Sequence, residues 1–401
     1  METQVNAAES SPRGTWMGLY ALASLLPAVL IGAACVMGGT MAYVAATYVT
    51  LLVYGVDRTV PMRLRRRWDG GAERAAHWLS LGLGAAHFAL LALGVRALSG
   101  GVPLNAAEWA ALFIALGVFF GQISNSNAHE LIHGTDRLRR GLGTAIYCSL
   151  LFGHHVSAHL RVHHIWVATA RDPNSARLGE GFYRFWPRAW IGSFLAGLAA
   201  ENALRARGTR SRWAHPYLIY GLGAGVTLAA AGLLAGPKGV LALLALAIYA
   251  QMQLLISDYV QHYGLRRTIG PDGRAEAVGP QHAWNAVPWL SGAMMLNAPR
   301  HSDHHIHPAR PFPALTLRPK TMPLLPATFP LMGLIATIPP LWRRVMDPKV
   351  AQIYQEFSKT GADAGDLAGL PHDTVFDDSP PCSGDGEPAQ PVAGGYGRGG
   401  V

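Results

Sequence analysis

Charged side chains are scarce in this sequence of 401 residues, and cysteines are scarcer still. Asp, Glu, Lys and Arg together make up 14% of the chain, whereas roughly a quarter is usual in soluble domains. Hydrophobic residues make up 50%, and the mean hydropathy is +0.19. The composition therefore argues against an ordinary soluble enzyme and indicates an integral membrane protein.

The three cysteines, Cys35, Cys148 and Cys382, lie far apart and form no Cys-x-x-Cys pair. Their spacing excludes a disulfide framework and a cysteine metal site. Basic residues outnumber acidic ones by 33 to 24, but arginines in a membrane protein usually mark cytoplasmic loops. We therefore expect no nucleic-acid partner.

Long apolar stretches, by contrast, are frequent, and a membrane-spanning helix needs about 20 such residues. The stretch 320–342 is also apolar, but it holds five prolines, so we interpret it as interfacial or re-entrant rather than as a seventh span. The predicted fold is an all-α integral membrane protein with six transmembrane helices and a cytoplasmic helical catalytic region. The six predicted spans are about 16–38, 40–57, 77–98, 107–125, 216–236 and 239–261.

The arginines predict how these spans are oriented. The loop 58–76 contains six arginines, and more follow the fourth and sixth predicted spans, whereas the loop 99–106 has neither Lys nor Arg. Both termini should then be cytoplasmic, in a multi-pass protein of the cell inner membrane. We expect a cytoplasmic segment at 1–15, one membrane domain at 16–357, and a disordered tail at 358–401, which is rich in Gly, Pro, Asp and Ser.

Histidines are concentrated in three short motifs, all on the predicted cytoplasmic side. Within each motif they are spaced so that a helix places several on one face. The first motif alone, His-Glu-x-x-His, would fit a zinc protease, but the three together offer more imidazoles than one tetrahedral zinc ion binds. The spacing alone leaves open whether His262, at the end of the sixth span, joins them. The clustered histidines are His129, His133, His159, His163, His164, His301, His304 and His305.

The remaining histidines are expected to have other roles. Isolated ones are predicted to pack or to face solvent: His77, His87, His215, His282 and His372. Three that neighbour the motifs are predicted to be structural: His154, His155 and His307.

Neutral imidazoles leave the charge of a bound metal uncompensated, so nearby carboxylates are expected to orient them and to offset that charge. Imidazole ligands suit Zn, Cu, Fe and Ni, and oxygen chemistry on iron best fits a site that receives an apolar substrate from a membrane. The candidate carboxylates are Glu130, Asp136, Asp172, Asp258 and Asp303.

The residues around the histidines narrow the choice. Together with the three motifs, they resemble the alkane 1-monooxygenase family of the membrane di-iron superfamily, to which fatty acid desaturases also belong. The resemblance covers roughly residues 20–350. It rests on the segments NAHELIH at 127–133, VATARDP at 167–173, HYGL at 262–265, RHSDHHIHP at 300–308 and WRRVMDPKV at 342–350.

The resemblance implies two non-haem iron ions held by nine histidines, the eight clustered ones and His262. It also implies that the terminal carbon of n-alkanes is hydroxylated with O2, using electrons from rubredoxin that an NAD(P)H-dependent reductase has reduced. Because the sequence has no Cys-x-x-Cys pair, rubredoxin is expected to be a separate protein.

Four positions depart from the usual family pattern: Gly134, Ala158, Val162 and Gln261. They leave open a related hydroxylase of alkyl-aromatic or other hydrophobic chains, or a fatty acyl desaturase. An intramembrane zinc protease and a histidine-based metal transporter are the competing functions from other classes.

Overall fold

The computed structural model describes residues 15–60, 70–208 and 215–359. Almost all of the predicted cytoplasmic segment 1–15 and of the predicted tail 358–401 lies outside these ranges, as do four arginines of the basic loop, Arg63, Arg65, Arg66 and Arg67. Within the described residues the regular structure is helical, and β pairing is limited to two isolated bridges, Ile269 with Ala275 and Asn285 with Leu324. The predicted all-α class is confirmed.

Twelve helices organise the described residues. The first four are α1 Thr15–Met37, α2 Thr40–Thr59, α3 Gly70–Arg96 and α4 Ala106–His133. The central helices are α5 Arg137–Ser149, α6 at 155–166, α7 Phe182–Ala206 and α8 Pro216–His262. The last are α9 Trp289–Met294, α10 His301–Ile306, α11 Phe329–Ala336 and α12 Pro339–Lys359.

Five helices are long and apolar enough to cross a membrane: Met17–Met37, Thr40–Thr59, Ala72–Gly101, Ala106–His133 and Pro216–His262. The first four correspond to the first four predicted spans. The fourth runs on to His133, so the first histidine motif is a continuation of a membrane helix. The protein is thus a multi-pass membrane protein.

The fifth and sixth predicted spans both lie within α8, which has 47 residues. Its backbone is not helical at Ala235 and Gly236, and Gly236 has a φ of 60°, which glycine adopts at little cost. A Cβ atom on Gly239 would lie 2.3 Å from the Ala231 carbonyl oxygen, whereas eight residues of straight helix cover about 12 Å. The chain therefore folds back at Gly236, and α8 consists of two closely packed arms. Five candidate membrane helices are counted rather than six, because the two arms of α8 are counted as one helix.

Small residues and buried polar groups tie the membrane helices together. A Cβ atom on Gly117 of α4 would lie 1.9 Å from Cδ1 of Tyr249 in α8, so only glycine lets these helices approach this closely. His87 of α3 is fully buried, and its ring nitrogens lie 2.5 Å from Ser124 Oγ and 2.7 Å from Ser149 Oγ. The isolated His87 is therefore a packing residue, as predicted.

Hydropathy predicted one of two further segments correctly and missed the other. The stretch 320–342 contains only the eight-residue α11 and the start of α12, so it offers no helix long enough to be a seventh span. In contrast, the 25-residue α7 was not predicted, because its apolar stretch between Arg188 and Glu201 is too short for a membrane span. Its buried side packs on α6 and α8, the helices that carry the second histidine motif and His262.

Candidate metal centre

Four helices bring the predicted histidines together. His129 and His133 lie one turn apart at the end of α4, and His262 is the last residue of α8. The second motif lies on α6, which has a π-helical turn at His159–His163, and the third lies on the short α10. Membrane helices thus supply part of the site, and short segments beyond them supply the rest.

The nine histidines form two groups. Within each group the ring nitrogens that face one another lie within 4.8 Å. The five-histidine group consists of His129, His133, His159, His164 and His304, and the four-histidine group consists of His163, His262, His301 and His305. The second and third motifs each contribute to both groups. His262, whose role the spacing had left open, lies inside the second one.

The spacing of the nitrogens fits metal ions. Nε2 of His159 lies 3.0 Å from Nε2 of both His133 and His164, and Nε2 of His301 lies 3.0 Å from that of His262. Nitrogens about 2.1 Å from one ion and at right angles around it would lie about 3 Å apart. The buried Nε2 atoms of His129 and His163 have no hydrogen-bond partner among the described residues. Lone pairs that converge in this way are satisfied by a cation between them.

The protonation states suit such a role. Burial, reinforced by the neighbouring imidazoles, holds the pKa values of His164, His304 and His305 well below the usual value for histidine. These rings are therefore neutral at physiological pH, which is the form that binds metals.

His163 is held by a carboxylate. Its Nδ1–H donates to Asp172 Oδ2 over 2.9 Å, and Asp172 also accepts from Ser175 Oγ at 2.7 Å and from the Asn174 backbone N–H at 3.0 Å. Burial lowers the pKa of His163, but Asp172 and Asp258 together raise it by more, so it lies above the usual value. Burial by itself would raise the pKa of Asp172, yet His163 and the hydrogen bonds hold it below its usual value. This pair fixes which nitrogen of His163 faces the group.

Among the described residues, the other candidate carboxylates have hydrogen-bond partners other than imidazoles. Asp303 is paired with Arg310, at 2.6 Å, and accepts from the Thr316 backbone. The remaining three have other partners: Glu130 accepts from the Phe312 backbone, Asp258 from Asn174 Nδ2, and the exposed Asp136 from the backbone at the start of α5.

A polar cavity of about 130 Å³ reaches the five-histidine group. His133 lies in its wall together with His77, Glu130, Arg139 and Arg310. It is large enough for a few water molecules. The centre therefore borders a polar space on one side as well as the apolar membrane helices.

The third motif is positioned by residues that carry no signal in the sequence. Asn285 Oδ1 accepts from the Ser302 backbone N–H at 3.0 Å, and its Nδ2 donates to Ser302 Oγ at 2.7 Å. Asp57 of α2 accepts from the backbone N–H of Leu290 at 2.9 Å, at the start of α9. These contacts attach the short helices to the membrane part, and only long-range packing reveals them.

Two of the positions that depart from the usual family pattern, Gln261 and Ala158, contact the segments around the site, and so does His155, which was predicted to be structural. The Gln261 side chain donates to the Ala298 carbonyl oxygen at 3.2 Å, just before the third motif. Ala158 lies against α7, where a Cβ atom on Gly197 would come within 3.1 Å of its backbone nitrogen. The His155 ring stacks on His159 with 5.3 Å between centroids. His155 thus supports the position of a ring in the five-histidine group.

Comparison with known proteins adds an independent observation. The fatty acid desaturase family profile matches residues 107–333, which include all three motifs and His262. Alkane 1-monooxygenase 1 of Pseudomonas aeruginosa is 33% identical over 300 residues, which are 69% of this chain and 77% of that protein. Alkane 1-monooxygenase 2 of Alcanivorax borkumensis is 34% identical over 244 residues, 60% of this chain and 64% of that protein. The chain therefore spans less than two thirds of the length of some of the curated relatives it matches.

A more distant relative is named for aromatic substrates rather than for alkanes. The hydroxylase component XylM of a xylene/toluene monooxygenase from Pseudomonas putida is 27% identical over 325 residues, covering 79% of this chain and 84% of that protein.

Proposed function

Because this chain belongs to the fatty acid desaturase family, we propose that it is a membrane-bound monooxygenase that hydroxylates the terminal carbon of n-alkanes to 1-alkanols. The observation that carries the proposal is the sorting of nine imidazoles, three of them at the ends of membrane helices, into two adjacent groups. Relatives named alkane 1-monooxygenase support the choice of substrate.

Two iron ions, one in each histidine group, would supply the activation of O2. The ligands proposed are His129, His133, His159, His164 and His304 for one ion and His163, His262, His301 and His305 for the other. Asp172 orients His163, while Glu130, Asp258 and Asp303 act at a distance through packing and charge. The balanced reaction takes alkane, O2, two electrons and two protons to alcohol and water. Rubredoxin, reduced by an NAD(P)H-dependent reductase, is the proposed source of the electrons.

The chain's own residues position the substrate and keep its surroundings dry. Alkanes dissolve in the bilayer, so they reach the site between the membrane helices without crossing water. Most of the buried side chains of α1 to α4 are apolar, which limits the water along the path of a hydrocarbon.

The proposed location is the cell inner membrane, with the active site facing the cytoplasm. This orientation is supported by the arginines that follow the fourth and sixth predicted spans, beside the histidine motifs. The proposed membrane domain comprises residues 16–357.

Whole-cell oxidation of an alkane series tests the proposed activity. We expect 1-alkanols as the first products. An alkene formed without alcohol would instead identify a desaturase. The likeness to the xylene/toluene relative favours one second candidate, oxidation of a methyl group on an aromatic ring, so alkyl-aromatic compounds belong in the same assay.

Metal analysis of the purified protein tests the site. We expect two iron ions per chain, and one zinc ion without iron would favour the protease instead. His304→Ala should abolish hydroxylation and lower bound iron, because His304 Nε2 lies 3.1 Å from that of His164 in the five-histidine group. His372→Ala, outside the described residues, is the matched control and should change neither. Equal activity of the two variants would contradict the assignment.

A further inference from the structure

Helix α7 exposes a row of apolar side chains. Ile191 and Leu195 are 54% and 57% exposed, and Pro187, one turn earlier, is exposed as well. Residues four apart lie on the same side of a helix. The opposite side is buried and packs on the protein: Phe185, Ala189, Ser193, Gly197 and Glu201. A soluble surface rarely presents such a row, which usually marks contact with a partner or a membrane.

Hydrogen bonds place this row beside a membrane-spanning helix. Trp190 Nε1 donates to Gln251 Oε1 at 2.8 Å, and the Phe194 carbonyl oxygen accepts from Tyr217 Oη at 2.8 Å. Both partners lie inside the candidate span Pro216–His262. Gln251 precedes the end of that span by eleven residues, or about 16 Å along the helix. Trp190, next to Ile191, therefore lies beside this helix well before the helix ends at His262.

The surroundings of the row match a lipid surface. Tyr217 is followed in α8 by Leu218, Ile219 and Leu222, which are 52%, 54% and 70% exposed, as expected of residues that face acyl chains. Arg184 near the start of α7 and Arg207 at its end are also exposed. Arginines at the ends of an apolar row can reach anionic headgroups while their stems stay in the apolar layer.

We propose that α7 lies against the bilayer, with Pro187, Ile191 and Leu195 at the boundary between headgroups and acyl chains. The lipid surface would then support the second histidine motif through α7. Gly197 of α7 packs against Ala158, and Glu201 accepts a hydrogen bond from Ser157 Oγ at 2.9 Å. Both contacts are immediately before His159 on α6.

A lipid-quenching experiment on the full-length protein tests this contact without relying on enzymatic activity. Ile191→Cys is labelled with an environment-sensitive fluorophore, and the protein is reconstituted in phosphatidylcholine–phosphatidylglycerol vesicles. All labelled variants are made in a Cys382→Ser background. The two cysteines that remain, Cys35 and Cys148, are only 1% and 5% exposed, and the residual labelling of the Cys382→Ser protein is subtracted. Two reference positions complete the set: Leu222→Cys for lipid, and Arg274→Cys, whose side chain is 72% exposed in a polar loop, for water.

We expect the label at Ile191 to emit at shorter wavelength than the label at Arg274. Lipids brominated on their acyl chains should quench it as they quench the label at Leu222, and aqueous iodide should not. Quenching by iodide, as at Arg274, would overturn the proposal. Protection from both quenchers would also overturn it, since it would mean that protein covers α7. In that case recovery of lipid quenching on dilution into excess lipid would identify a second copy of the chain. Leu195→Cys repeats the test if the first variant does not fold.

Discussion

Asp172→Asn should weaken iron binding in the four-histidine group while leaving the five-histidine group nearly intact. The Asp172 carboxylate is 2% exposed and accepts three hydrogen bonds of 2.7 to 3.0 Å, one of them from His163 Nδ1–H. An asparagine amide has one oxygen and one NH2 group. It cannot accept from all three donors, so one N–H is left facing another donor.

The ring of His163 is most sensitive to this change. If the amide NH2 faces Nδ1, the imidazole is favoured with its proton on Nε2, and that nitrogen loses the lone pair needed to bind a metal. Loss of a partner that orients a ligand typically lowers metal affinity about 10- to 100-fold, which corresponds to about 1.4–2.8 kcal/mol.

Asp303→Asn is the matched control. Asp303 is equally buried and belongs to a histidine motif, but its partners are Arg310 and the Thr316 backbone rather than a ring. This variant should lose stability, by about 1–3 kcal/mol for the impaired buried pair, with little change in iron affinity. Chelator competition on purified protein gives the affinity, and thermal unfolding gives the stability.

Equal iron affinity in Asp172→Asn and the unmodified protein would refute the argument. So would an equal loss of affinity in both variants, because the effect would then follow from general loosening rather than from the bond to His163.

Two further predictions concern packing and thiol chemistry. Gly117→Ala should destabilise the protein by about 1–3 kcal/mol through overpacking, since the new methyl group would meet the Tyr249 ring at 1.9 Å. Gly82→Ala, which has no atom within 4 Å of the new methyl group, should be neutral in the same thermal unfolding assay, and equal shifts would contradict the proposed contact. Burial raises the pKa of Cys148 to about 11, so maleimide should label it only at strongly alkaline pH. Rapid labelling at neutral pH, detected by mass spectrometry, would show that this thiol is not buried.

Much of the site could be found without the structure. Hydropathy alone located the first four membrane helices, because a helix in lipid must be apolar along its whole length. The histidines were recognisable because ligands on one helix recur at fixed intervals, as His129 and His133 do. The resemblance to a known family, rather than spacing, added His262.

Other features are absent from any local pattern. The 25-residue α7 escaped prediction because its apolar stretch is shorter than a membrane span, and only its packing on α6 and α8 reveals its place. The distinction between Asp172, which holds a ring, and Asp303, which holds an arginine, depends on how the segments after α6 and α10 fold back.

The sequence by itself determined the chemistry available: apolar helices and nine imidazoles close to their ends. Only the tertiary structure decided how these imidazoles are divided. His163 and His164 are adjacent, yet they belong to different groups, and the same holds for His304 and His305. Adjacent residues on a helix point about 100° apart, so one short segment can face two centres. Which ring faces which centre is set by how the helices pack against one another.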